Sequence, residues 1–108
     1  MRDLFEWDTF NTAKVLKHRI TPDEAMEAMT NDPLLQFPQD AGDEQRELYY
    51  GETKTGRMLA VAVTWRQERI RIITAYDLDK SQIGDYLRQR LAQGTANEQE
   101  KNHGTHDR

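Results

Sequence analysis

The stretch "RIRIITAYD", residues 69–77, places Arg69 and Arg71 two positions apart, so on a strand both guanidinium groups share one face. Cations in that arrangement are solvated, paired with local acids, or set to hold an anion. Tyr76 stands further along, at a position where a third cationic side chain could have been placed. Around it, residues 54–71 hold Lys54, Arg57, Arg66, Arg69 and Arg71 against Glu68 alone. Residues 1–53 are the reverse, with twelve acidic side chains against five basic ones. The net charge of −4 weakens long-range attraction for nucleic acid, yet a local basic patch can still bind phosphate. Solvated arginines on the outer face of a hairpin are the plainer alternative.

His18, beside Lys17, is the side chain best suited to proton transfer near neutral pH. It could equally cap a helix C-terminus, where a positive imidazole interacts well with the dipole. His103, His106 and Asp107 have a spacing that suggests metal ligation, but the glycine between them and a polar setting argue against a fixed coordination shell. No cofactor motif is recognisable: "GETKTG" opens a strand rather than a helix, which disfavours a phosphate cradle. Trp7, Tyr49, Tyr50 and Trp65 could stack on bases, although packing is the expectation for at least three of them.

These residues need elements to hold them. "LFEW" reads as a short strand ending at Asp8, an N-cap type of residue, and "TFNTAKVLKH" as a helix with Phe10, Ala13 and Leu16 near one face. "ITPDEAMEAMTNDP" is the clearest local signal. Thr21 is the N-cap, Pro22 the first helical residue, and Glu24 completes a capping box. Ala25, Met26 and Met29 supply the buried side, and Pro33 ends the helix. Residues 38–46 read as an acidic surface loop. "ELYYGET", "RMLAVAVTW" and "RIRIITAY" follow as three strands of an antiparallel meander, with Leu59, Val61, Val63 and Trp65 on one face. A last helix runs from an Asp79 cap to about Gln93, with Ile83, Leu87 and Leu91 as its stripe and Gly94 as its stop. The expectation is one small α+β domain over residues 1–93, followed by a disordered polar tail over 94–108.

Composition narrows the class. The chain has 108 residues, 36% hydrophobic and 31% charged, enough for one modest core. It has no cysteine, no long apolar run and no apolar leader at "MRDLFEWDTF", so the cytoplasm is the expected compartment and no membrane is involved.

"FEWD" (5–8), "KH-x-I-T-P-x-E-A" (17–25), "DP" (32–33), "GRMLAVAVT" (56–64) and "RIRIITA" (69–75) occur in the order and spacing of the BrnT family. The chain therefore resembles BrnT toxins of type II toxin–antitoxin pairs over roughly residues 5–91. The resemblance implies a RelE-like fold and a metal-independent endoribonuclease that arrests growth. It also implies a small dimeric, DNA-binding antitoxin of the BrnA kind in a hetero-oligomer, with operator DNA reached only through that antitoxin.

Metal-free RNA cleavage sends the ribose 2′-hydroxyl against the adjacent phosphorus, so it needs a base, cations for the phosphorane and an acid for the leaving oxygen. Arg57 and Arg71 match cationic positions of the family, and the assignment requires their guanidinium groups to converge on one phosphodiester. Lys17 and His18 match the family's "KH", as candidates for phosphate contact and proton transfer. Tyr86 matches a tyrosine of the last helix and could donate a proton or simply pack. Lys54, Arg69 and Tyr76 are the candidate RNA contacts. Tyr76 replaces a family arginine and Gln82 stands about where a glutamate is common. Both substitutes are neutral, so a catalytically weakened or inactive, antitoxin-binding member is the alternative.

Overall fold

In a computed structural model, the backbone is described for residues 4–41 and 44–106, with side chains described outside 37–44 and 95–106. The chain divides into two compact units, residues 1–78 and 79–108. In the first, β1 (Phe5–Glu6), α1 (Thr9–Lys17) and α2 (Pro22–Thr30) precede β2 (Leu34–Ala41), β3 (Glu44–Glu52), β4 (Met58–Arg66) and β5 (Arg69–Asp77). The sheet order is β1-β5-β4-β3-β2; β1 lies parallel to β5, and the other neighbours are antiparallel. This is an α+β architecture.

Local chemistry sets the helix starts. Asp8 caps α1 by accepting from the amides of Phe10 and Asn11, while Asn11 Oδ1 accepts from the Asp8 amide. Thr21 and Glu24 form the expected reciprocal box on α2, with Pro22 at the first turn. The end of α1 is less ordinary. The Arg19 amide donates to Leu16 and that of Ile20 to Val15, a Schellman closure with Arg19 at φ 61 where glycine is usual. Val15 and Ile20 are both fully buried and make its apolar clasp.

Val15, Ile20, Ala25, Met26 and Ala28 pack with Phe5, Leu59, Val61, Val63, Ile70, Ile72 and Ala75, and Trp7, Met29 and Tyr49 close against this core. Gly51 is required here: a Cβ on it would run into the Ala28 carbonyl oxygen. One bulge decides what β5 displays. Ala62 pairs with Thr74 but Val63 with Ile72, so Ile73 is the extra residue. Ile70 and Ile72 are buried before it, and Ala75 after it. Without the bulge, the period of two would turn Tyr76 into the core instead of Ala75.

Four expectations change. The acidic "loop" 38–46 is the end of β2 and the start of β3, with residues 42–43 outside the described set. An edge strand tolerates Pro38 and polar residues, which hid it from pattern reading. On α1, Asn11 and Val15 are buried, while Phe10, Ala13 and Leu16 are exposed. Trp65 is 55% exposed, although it alternates with buried Val61 and Val63. In the second unit, α3 (Lys80–His106) passes through Gly94, which was expected to stop it. A helical glycine costs only about 1 kcal/mol relative to alanine, and the residues after it include several good helix formers.

Candidate functional site

Arg57 is aimed by the turn before β4. Thr53 Oγ1 accepts from the Arg57 amide at 3.0 Å, the Thr53 amide donates to the Arg57 carbonyl, and Gly56 closes the turn at φ 89. The guanidinium then reaches three acceptors. Nε and Nη2 donate to Asp77 at 2.7 and 3.0 Å, and Nη1 donates to Glu24 at 3.2 Å and to the Arg19 carbonyl at 2.9 Å. The left-handed turn at Arg19 thus presents that carbonyl to Arg57. The Arg57 hydrogen bond holds Asp77 below the usual carboxylate range. Glu24 is also held low, chiefly by the Thr21 amide and then by Arg57.

Beside this cluster, the His18 ring lies 6.2 Å from the Tyr76 ring, centroid to centroid, at 55°. His18 is the C-cap of α1 and its side chain is exposed, so it holds the cap position and still faces solvent. Its positive form adds a pull on Asp77. Lys17 precedes it and is exposed. Lys54 is exposed on the β3–β4 turn, where its amide donates to Glu27.

Arg71 belongs to the other end of the ladder. It pairs with Asp8 at 2.8 Å and with Glu6 at 3.4 Å, and its hydrogen bond is the largest influence lowering Asp8. Arg69 donates to the Phe5 carbonyl at 2.7 Å. These contacts fasten β1 to β5, whose register sets Glu6 against Arg71. Asp77 pairs with Leu59 and Arg71 with Thr64, so the two ends lie six positions apart on β5, roughly 20 Å at about 3.3 Å per residue. Arg57 and Arg71 therefore do not converge, and each is already met by two carboxylates. The phosphate cradle expected from both arginines is not formed.

Tyr86 lies on α3 in the second unit, where its hydroxyl accepts from Arg90 Nε at 3.1 Å and the Arg90 guanidinium sits 5.1 Å from its ring centre. Gln82 has a local role there. It accepts from the Asp79 amide, and its own amide donates to Asp79 Oδ1, a capping box that glutamine serves as well as glutamate.

Among the described residues, no three His, Asp or Glu side chains cluster to hold a metal ion, and the side chains of His103, His106 and Asp107 lie outside that set. Among the same described residues, no helix is long and apolar enough to cross a membrane.

Sequence reasoning missed the partners. Asp77 and Glu24 were not legible as Arg57's acceptors, because they stand 20 and 33 positions from it in the chain. Asp8 and Glu6 were equally hidden, although the acidic balance of residues 1–53 against the basic 54–71 was a signal that the two segments could neutralise each other.

The arrangement offers an exposed imidazole, a phenol that can give one hydrogen bond, and a guanidinium already engaged. A family model described as "Ribonuclease toxin, BrnT, of type II toxin-antitoxin system" matches residues 7–82. No curated protein matches the chain. The family match covers well over half of the sequence, and the chain belongs to the BrnT family of ribonuclease toxins, whose type II systems pair each toxin with an antitoxin.

Proposed function

We propose that this BrnT-family chain cleaves RNA without a metal at the end of the molecule where His18 meets Tyr76. The observation that carries this reading is the 6.2 Å approach of those two rings beside Arg57. His18 moves the proton of the ribose 2′-hydroxyl, Tyr76 gives a hydrogen bond to a phosphate oxygen, and Lys17 and Lys54 contact the RNA backbone. The leaving 5′-oxygen takes its proton back from the imidazolium formed at His18, and Tyr86, in the other unit, is given no part in the step. Arg57 takes part only when phosphate displaces Asp77 or Glu24, each a part-exposed ionic contact of about 1 kcal/mol. Withholding that cation slows cleavage by a factor of about 10²–10³.

The reading includes a RelE-like fold, supported by a short strand and two helices before four antiparallel strands and one helix after them. It also includes action in the cytoplasm, growth arrest on induction, and release from a small BrnA-like antitoxin that alone contacts operator DNA.

The double occupation of both Arg57 and Arg71 favours a second reading, a protein that keeps the antitoxin interface and has lost cleavage. Induction of wild type beside His18→Ala and Tyr76→Arg, with RNA integrity and growth as readouts, separates the two. Cleavage lost in His18→Ala and raised in Tyr76→Arg supports the first. Intact RNA in all three, with tight antitoxin binding, establishes the second.

A further inference from the structure

Helix α1 wears its apolar stripe on the outside. Phe10 is 76% exposed, Leu16 51%, and Ala13 between them is exposed as well. The buried side of this helix is given to Asn11 and Val15. Three apolar residues at i, i+3 and i+6 form a continuous strip, not scattered surface hydrophobes. Lys14 and Lys17 flank it, and residues 9–19 contain Lys14, Lys17 and Arg19 with no acid, in a chain of net charge −4. Next to the strip is a depression of about 70 Å³ lined by Phe10, Asn11, Lys14, Arg71 and Ile73, room for one small aliphatic group.

We propose that this face of α1 docks an acidic amphipathic helix of a protein partner. Apolar side chains of the partner lie along Phe10, Ala13 and Leu16, one of them enters the depression, and its carboxylates meet Lys14 and Lys17. Charge complementarity selects this occupant. A second copy related by a two-fold axis would present the same basic, acid-free face, so positive charge would meet positive charge with no carboxylate on either side. RNA would find phosphate partners there and one ring, Phe10, but Ala13 and Leu16 give no successive platform for bases to stack on. The inference rests on the reading that the chain is a toxin held by an antitoxin, and it names where that partner sits. Lys17 and His18 end the same helix, so an occupant of the strip lies against the proposed proton-transfer group and keeps RNA from it.

The test uses the full chain and a fluorescent peptide of about 18 residues, long enough to hold a helix when bound, with a leucine stripe and glutamate elsewhere. A second peptide carries lysine in place of glutamate. Saturable binding of the acidic peptide is expected, weakened at least about tenfold in Phe10→Ala/Leu16→Ala. Lys14→Glu weakens it as well. Leu35→Ala, which trims an exposed leucine on β2, leaves binding unchanged. All the altered side chains are exposed, and thermal melts verify that the variants fold. Absent binding of the acidic peptide, equal binding by the double variant, or preference for the basic peptide overturns the proposal. So does a single-stranded RNA oligonucleotide whose binding alone is lost in the double variant, or a wild-type dimer that the double variant dissolves. RNA integrity is measured in parallel: peptide binding without cleavage removes the nuclease reading alone, and cleavage without peptide binding removes the docking face alone.

Discussion

Arg57 and Asp77, 20 positions apart in the chain, meet as a two-point pair, Nε on Oδ1 at 2.7 Å and Nη2 on Oδ2 at 3.0 Å. The third nitrogen of the fork is taken by Glu24 and the Arg19 carbonyl. A guanidinium held this way fixes the junction of α1, α2 and β5, and the same contacts withhold it from phosphate. Stability and RNA contact compete for one side chain.

Asp77→Asn separates the two roles. The amide keeps one acceptor and loses the charge, so the fold is destabilised by about 1 kcal/mol, given that the Asp77 side chain is 56% exposed. In a domain of this size that lowers Tm by roughly 4–8 °C. The freed cation raises affinity for a short RNA and speeds any cleavage. Calorimetry and RNA binding on the same preparation check this; a lower Tm with unchanged RNA affinity assigns Arg57 to structure alone.

Acid weakens the fold through the same contacts. Asp77, Glu24 and Asp8 are all held below their ordinary values, Asp77 and Asp8 chiefly by arginine hydrogen bonds and Glu24 chiefly by the Thr21 amide. A carboxylate depressed in the folded state binds its proton more readily when unfolded. Its contribution is present above the unfolded value and is lost as pH falls through the folded one. Stability in urea is therefore expected to be flat from neutral pH to about 5 and to fall below about 4.5, with a shallower fall in Glu24→Gln. A parallel fall in the variant removes Glu24 from the explanation.

The helix starts and the β4–β5 reversal were legible because their causes are local. Asp8, Thr21–Glu24 and the pair Gln67–Glu68, both at positive φ between Arg66 and Arg69, act within a few residues. The buried side of α1 was not legible, since it depends on what Asn11 meets. Its amide donates to the Glu6 and Ile72 carbonyls, the latter 61 residues away. The bulge at Ile73 was hidden for a similar reason: nothing in "RIRIITAYD" marks it, and it decides that Ala75 and not Tyr76 turns inward. His18 and Tyr76 were each singled out, but their proximity follows from that bulge. Charge balance predicted a basic patch and could not tell that Arg57 and Arg71 would be neutralised separately, at opposite ends of β5.

Arg19→Gly is expected to stabilise the protein by about 0.5–1 kcal/mol. Arg19 occupies a left-handed position at φ 61 where a Cβ is costly, and its functional contact to Arg57 is through the backbone carbonyl, which glycine retains. Denaturant midpoints measure it. A decrease shows that the Arg19 side chain contributes more than its backbone conformation costs.

Removal of residues 95–108 is expected to leave Tm and antitoxin binding unchanged. The tail contains no apolar residue larger than alanine, so it has little to bury. A fall of several degrees in the truncated chain places the end of the domain beyond Gly94.

Asn11→Leu is the sharpest test of how the fold is held. Asn11 is 2% exposed and makes three contacts: it accepts from the Asp8 amide at 2.8 Å and donates to the Glu6 and Ile72 carbonyls, each at 2.9 Å. Leucine has a similar bulk and more apolar surface, so area burial alone predicts a gain. Its arrival strips the donor from both carbonyls, at about 1–3 kcal/mol for each buried group left unpaired, and removes half of the α1 cap. The net expectation is a loss of roughly 2–5 kcal/mol, with hydrogen exchange rising first at β1 and the start of α1. A variant as stable as wild type would mean that water or a shifted backbone satisfies those carbonyls, and that α1 is held to the sheet by Val15 and Ile20 rather than by its one buried amide.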